Sequence, residues 1–83
     1  NAAVEIDDGE HPARAVIVAH KRTVRARLRR LCAGLKTKTP NELADSLMLL
    51  MEGAHVTRLS FRSHGPSSSV ADAARRLIAA HQR

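Results

Sequence analysis

Apolar positions recur at three- and four-residue spacing between residues 40 and 62, which predicts one long central helix. Thr39 and Glu42 are three residues apart and predict a capping box around Pro40, a residue favoured at the first helical position. The apolar positions form two stripes, Leu43, Leu47, Leu50, Ala54 and Phe61 in one and Met48, Met51, His55 and Leu59 in the other. A helix that is apolar over more than half of its circumference is covered from more than one side. We therefore expect one stripe to pack within the subunit and the other on a second copy.

Gly53 lies in the middle of this predicted helix, where glycine costs about 1 kcal/mol relative to alanine. With Ser46, Thr57 and Ser60 it forms a third stripe, made of small residues, along which another helix can come close. We expect such a close contact to compensate for the glycine.

A second amphipathic pattern predicts a helix over residues 12–34, with Pro12 at its start and Gly34 at its end. Its apolar side consists of Ala13, Val16, Ile17, His20, Val24, Leu28, Leu31 and Leu35. Its cations are expected on the opposite side, at Arg14, Lys21, Arg22, Arg25 and Arg29. The link to the central helix is short, so the two long helices are expected to lie antiparallel.

A polar stretch with Gly65 and Pro66 separates the central helix from a last, alanine-rich helix over residues 69–82. Ser69 and Asp72 predict a second cap for it. Its expected inward positions are Val70, Ala73, Ala74, Leu77, Ile78 and His81. Residues 1–11 are interpreted as the end of a preceding helix and an acidic turn. We therefore predict a single all-α domain over residues 1–83, an antiparallel bundle of two long helices and a shorter, alanine-rich last helix.

The chain has a net charge of +6, and residues 21–38 contain eight basic residues and no acidic one. A solvated helix face is the favoured interpretation, and contact with nucleic acid or anionic lipid is the alternative. One Phe and no Trp or Tyr leave no aromatic platform for stacking bases. No apolar run is long enough to span a membrane, and the single cysteine, Cys32, fits a reducing cytoplasm.

The sequence offers little chemistry, so we expect no enzyme, no cofactor and no metal site. Asp7, Asp8, Glu10 and His11 are better explained as a polar turn than as cation ligands. His20, Met48, Met51 and His55 lie on apolar sides of the two long helices. Core filling is the simpler interpretation of these four residues. The alternative is a cavity between helices, in which methionine adapts to the shape of a small apolar effector and histidine orients it.

Taken in order, these residues resemble the C-terminal regulatory domain of the TetR/AcrR family of bacterial transcriptional repressors. The strings that carry the resemblance are HP…K..VR..L..L, from His11 to Leu31, and P.ELA..L..L.EGA, from Pro40 to Ala54. It extends over nearly the whole chain, with Ala2, Ala3 and Glu5 before the acidic turn and the alanine-rich helix at the end.

The resemblance implies a homodimer in which the last two helices of each subunit pair across a two-fold axis into a four-helix bundle. The residues we expect at that interface are Leu47, Leu50, Gly53, Ala54, Thr57, Phe61, Ala73, Ala74, Leu77 and Ile78. It also implies a small effector that binds among the helices and changes the spacing of two DNA-reading heads. The helix-turn-helix head of the family is not present in these 83 residues, so we expect DNA contact only through a part of a longer protein.

Two other functions remain open. One is a basic helical module that binds nucleic acid directly through Lys21, Arg22, Arg25 and Arg29, with an affinity that falls steeply as salt rises. The other is a helical adaptor that binds no ligand.

Overall fold

A computed structural model describes residues 12–82, which form three α-helices. These are α1 (Pro12–Ala33), α2 (Pro40–Phe61) and α3 (Val70–His81). Two short 3-10 turns, Arg62–His64 and Pro66–Ser69, join α2 to α3. No strand is present in the described part of the chain, where the only β-type pairing is a bridge between Thr37 and Gln82. The all-α prediction is confirmed; the interpretation of residues 1–11 falls outside the described range.

The central helix α2 lies between the other two helices. Its N-terminal end meets the C-terminal ends of α1 and α3, and the Lys38 N–H donates to the His81 carbonyl at 3.0 Å. The small core lies at this end and consists of Cys32 from α1 and of Leu43 and Ala44 from α2. The half-buried side chains of Leu28, Leu47, Leu77 and Ile78 pack against it.

The six inward positions predicted for α3, at residues 70, 73, 74, 77, 78 and 81, are all half-buried. The shallow face lets α3 lie along α2, because alanine side chains keep the two backbones close. At its last turn the His81 ring nitrogen Nδ1 and the Leu77 carbonyl are 3.0 Å apart.

The apolar side predicted for α1 is largely uncovered within the described residues. Val16 and Leu31 are 71% and 64% exposed, and Ile17 is also exposed, whereas Cys32, which lies outside the predicted stripe, is buried. The helix is rotated so that Lys21, Arg25 and Arg29 lie beside α2, and within the predicted stripe only Val24 and Leu28 are half-buried. The expected inward side of α1 was therefore wrong for much of its length.

Neither predicted side-chain cap forms. The Thr39 side chain makes no capping hydrogen bond, and the first backbone bond of α2 runs from the Leu43 N–H to the Thr39 carbonyl at 3.0 Å. Pro40 contributes no N–H of its own, so fewer donors at this end need a partner. Ser69 also makes no side-chain cap, because it is already part of the preceding 3-10 turn, and the Val70 N–H donates to the Ser67 carbonyl instead.

Candidate functional site

A ladder of ion pairs joins α1 to α2. Lys21 Nζ lies 2.6 Å from Glu52 Oε2. Asp45 accepts two hydrogen bonds from Arg25, at 2.8 and 2.9 Å, and two from Arg29, at 2.9 and 3.3 Å. The later residues of α1 pair with the earlier ones of α2, as two antiparallel helices require. The Arg25 hydrogen bonds, followed by those of Arg29, hold the pKa of Asp45 well below its usual range.

This ladder corrects the expectation that the α1 cations lie away from the central helix. Lys21, Arg25 and Arg29 are three of the four residues considered for nucleic-acid binding, and each already contacts a carboxylate. Arg22 is exposed and has no ion-pair partner among residues 12–82. The ladder therefore leaves less positive charge on this face for a phosphate backbone.

Two grooves flank the line along which the C-terminal half of α2 meets α3. The first groove is a mostly apolar depression of about 290 Å³. It is lined by Leu49, Leu50, Gly53, Ala54, Thr57, Pro66, Ser69, Val70 and Ala73. Five of the predicted interface residues, Leu50, Gly53, Ala54, Thr57 and Ala73, are in this lining. The interface prediction omitted Leu49, although this leucine widens the apolar arc of α2.

The other predicted interface residues lie elsewhere. Leu47, Leu77 and Ile78 pack against the small core within the chain, and Ala74 is half-buried on the inward side of α3. Phe61 is exposed at the end of α2.

The second groove is larger, at about 950 Å³. It is lined by Met51, Ala54, His55, Arg58, Leu59, Arg62, Ser63, Ser67, Ser68 and Val70. It brings together two of the four predicted ligand-binding residues, Met51 and His55. His20 is exposed on α1 and Met48 is half-buried on α2, and neither belongs to the lining.

Arg58 and Arg62 in this lining did not emerge from the sequence reasoning. The signal that the sequence offers for them is their position four residues apart at the end of the predicted central helix. Arg62 follows the last residue of α2, has a φ of 60° and a ψ of −132°, and donates its N–H to the Arg58 carbonyl.

Cys32 belongs to the core and not to either groove. Its side chain is buried, and burial raises the pKa of the thiol, which keeps it in the less nucleophilic protonated form. Over residues 12–82, no three His, Cys, Asp or Glu side chains come together as a metal site requires. No helix in the described range is long and apolar enough to cross a membrane.

No protein family, curated protein or solved structure matches this chain. The resemblance to TetR/AcrR regulators therefore depends on the two sequence strings quoted above.

Proposed function

We propose that this chain is the dimerisation and effector-response domain of a TetR-like DNA-binding transcriptional regulator, and that two copies associate through the first groove. The observation that supports this most directly is Gly53, a glycine in the middle of α2 that no contact among residues 12–82 explains.

A Cβ atom added at Gly53 would meet no atom of the described residues within 4 Å, apart from its chain neighbours and the backbone of its own helix. Alanine would therefore fit at this position and would stabilise the helix by about 1 kcal/mol. A glycine at this position is explained if a second helix approaches the backbone of α2 closely here, because a side chain would then be in the way. Gly53 lines the first groove, so that approach would occur there.

The first groove also has an exposed apolar side chain at its edge. Leu49 is 75% exposed, and Gly53, one turn further along α2, leaves a depression beside it. In a two-fold dimer each patch meets its own copy, so a projecting residue on one subunit faces the depression on the other. Leu49 and the groove around Gly53 have the size and polarity for this arrangement.

The small core favours association as well. Among residues 12–82, only Cys32, Leu43 and Ala44 are buried apolar residues, whereas nine large apolar side chains are at least 41% exposed. A single core of this size supplies little stability to a domain of about 80 residues. Burial of Leu49 and its neighbours in a dimer would add apolar contact that the isolated chain lacks.

The effector part of the proposal is supported by the second groove, where Met51 and His55 meet. Contact with DNA belongs, in this proposal, to a part of the regulator other than residues 12–82.

Sedimentation velocity over a range of protein concentrations tests the dimer. We expect the unmodified chain to sediment as a dimer at high concentration. Gly53→Leu should raise the dissociation constant of the dimer at least tenfold, because the leucine would fill the groove. Gly53→Ala should raise the stability of the folded chain at any concentration at which it is monomeric.

Ala26→Leu is the matched control, since Ala26 is exposed on α1 and lines neither groove. It should leave the dissociation constant unchanged. A chain that stays monomeric at hundreds of micromolar, or a Gly53→Leu variant that dimerises as tightly as the control, would overturn the proposed interface.

A further inference from the structure

We propose that the second groove binds a small amphipathic carboxylate, with its acid group at Arg58 and Arg62 and its aliphatic chain along the apolar wall. This names the chemical class of the proposed effector. The inference depends on the proposed function only for its regulatory meaning, because binding to the groove needs one chain alone.

The lining of the groove is divided by polarity. Met51 and Leu59 of α2 and Val70 of α3 provide apolar surface. Arg58 and Arg62 provide two guanidinium groups at one end of α2, and the turns beyond it add hydroxyl groups. A ligand that satisfies both parts has an anionic head and an apolar tail, and guanidinium groups hold carboxylates through paired hydrogen bonds.

The charge of the groove is not balanced within the described chain. Residues 12–82 contain four acidic residues, and none of them lines the groove. Asp45 and Glu52 are paired with α1, and Asp72 lies 3.1 Å from Arg76. Arg58 and Arg62 therefore have no ion-pair partner among residues 12–82. Both arginines line the same groove, and an anion bound there would balance their charge.

The backbone at Arg62 gives a second, independent reason. Arg62 is the only non-glycine residue of the described chain with a positive φ. Such a conformation is strained and is concentrated at ligand-binding and switch positions. The negative end of the helix dipole accounts for a cation at Arg58 in the last turn. It does not account for a strained backbone that holds Arg62, beyond the helix end, in the wall of the same groove.

The volume also fits a small molecule. Ligand grooves of roughly 300–1,000 Å³ are typical of small-molecule sites. The second groove, at about 950 Å³, lies at the upper end of this range. His55 adds a ring nitrogen that can hydrogen-bond a carboxylate oxygen.

Three probes of graded chemistry test the inference by NMR titration of backbone amides. Decanoate has both the tail and the negative charge, decyltrimethylammonium has the same tail with a positive charge, and acetate has the charge without the tail. We expect decanoate to bind, with its largest shifts between Met51 and Val70. We expect decyltrimethylammonium and acetate to bind at least tenfold more weakly.

The double variant Arg58→Gln/Arg62→Gln should lose at least tenfold in affinity for decanoate, whereas Arg22→Gln, a change at an exposed arginine of α1, should lose none. Equal binding of the two long-chain probes, shifts confined to residues outside the groove, or an unchanged affinity of the double variant would overturn the inference.

The same titration on Gly53→Leu separates this inference from the proposed dimer. Retained binding by a monomeric variant supports a site within one chain. If the unmodified chain is a dimer that binds no decanoate, only the proposed ligand is wrong. If the unmodified chain is a monomer that binds decanoate, only the proposed dimer is wrong.

Discussion

Leu43→Ala tests whether the folded state depends on the small core at the meeting point of the three helices. Leu43 is 0% exposed and is the only large side chain among residues 12–82 that is fully buried. Its neighbours Leu28 of α1 and Leu77 of α3 bring all three helices to the same contact. Truncating a buried leucine to alanine costs about 2–5 kcal/mol, through lost apolar transfer and the cavity that remains.

The size of this loss must be compared with the stability of the whole domain. At about 0.05–0.15 kcal/mol per residue, a chain of this length has roughly 4–12 kcal/mol, and its sparse core favours the lower end. We therefore expect Leu43→Ala to remove about 3 kcal/mol, which is most of the stability. Urea denaturation followed by far-UV circular dichroism should show a midpoint lowered by more than 1 M, or a chain already unfolded in buffer.

Leu59→Ala is the matched control because it makes the same change on the same helix at a side chain that is 67% exposed. It should change the free energy of unfolding by no more than about 0.5 kcal/mol. Both variants are measured at low protein concentration, so that dimerisation does not contribute. Equal losses for the two variants, or a loss below about 1 kcal/mol for Leu43→Ala, would refute the location of the core.

Two further predictions concern the ladder and the α2–α3 connection. Asp45→Asn should lower the melting temperature, though by less than Leu43→Ala. The folded-state pKa of Asp45 is depressed, so its contribution is fully present above the ordinary value of 3.8 and is lost as pH falls below it. The variant should show a weaker loss of melting temperature between pH 5 and 2, and an unchanged acid profile would contradict the pairing. Gly65→Ala should cost about 1–3 kcal/mol, because the added Cβ would clash with Phe61 Cβ. Gly34→Ala, whose Cβ would meet only a carbonyl at 3.5 Å, is the control and should be close to neutral in thermal melts.

The ends of the helices were predictable because strong local signals mark them. Pro12 and Pro40 stand at the first positions of α1 and α2, and Gly34 directly follows the end of α1. Gly65 and Pro66 interrupt the chain before α3. These residues act through their own backbone preferences, which do not depend on the rest of the fold. The bounds in the structure lie within one residue of the predicted ones.

The rotation of α1 about its axis could not be predicted in the same way. The apolar stripe of Val16, Ile17 and Leu31 indicated one packed side, yet Arg25 and Arg29 lie against α2 instead. Their partner Asp45 is 20 and 16 residues away along the chain. A periodic pattern identifies the sides of one helix, but the choice between them depends on which side chains of another helix lie opposite. The positions of Leu49 and Val70 in the lining of the first groove were not predictable for the same reason, because they depend on how α3 packs on α2.

The two proposed sites are not independent, because Ala54 and Val70 line both grooves. The contact between α2 and α3 at this point is a thin wall of small apolar side chains. A carboxylate that displaces Val70 from one side therefore changes the shape of the groove on the other side. If decanoate changes the dimer dissociation constant by some factor, linkage requires that dimerisation change the affinity for decanoate by the same factor. Such reciprocity would connect an effector to the spacing of two subunits through the α2–α3 contact alone, without any movement of α1.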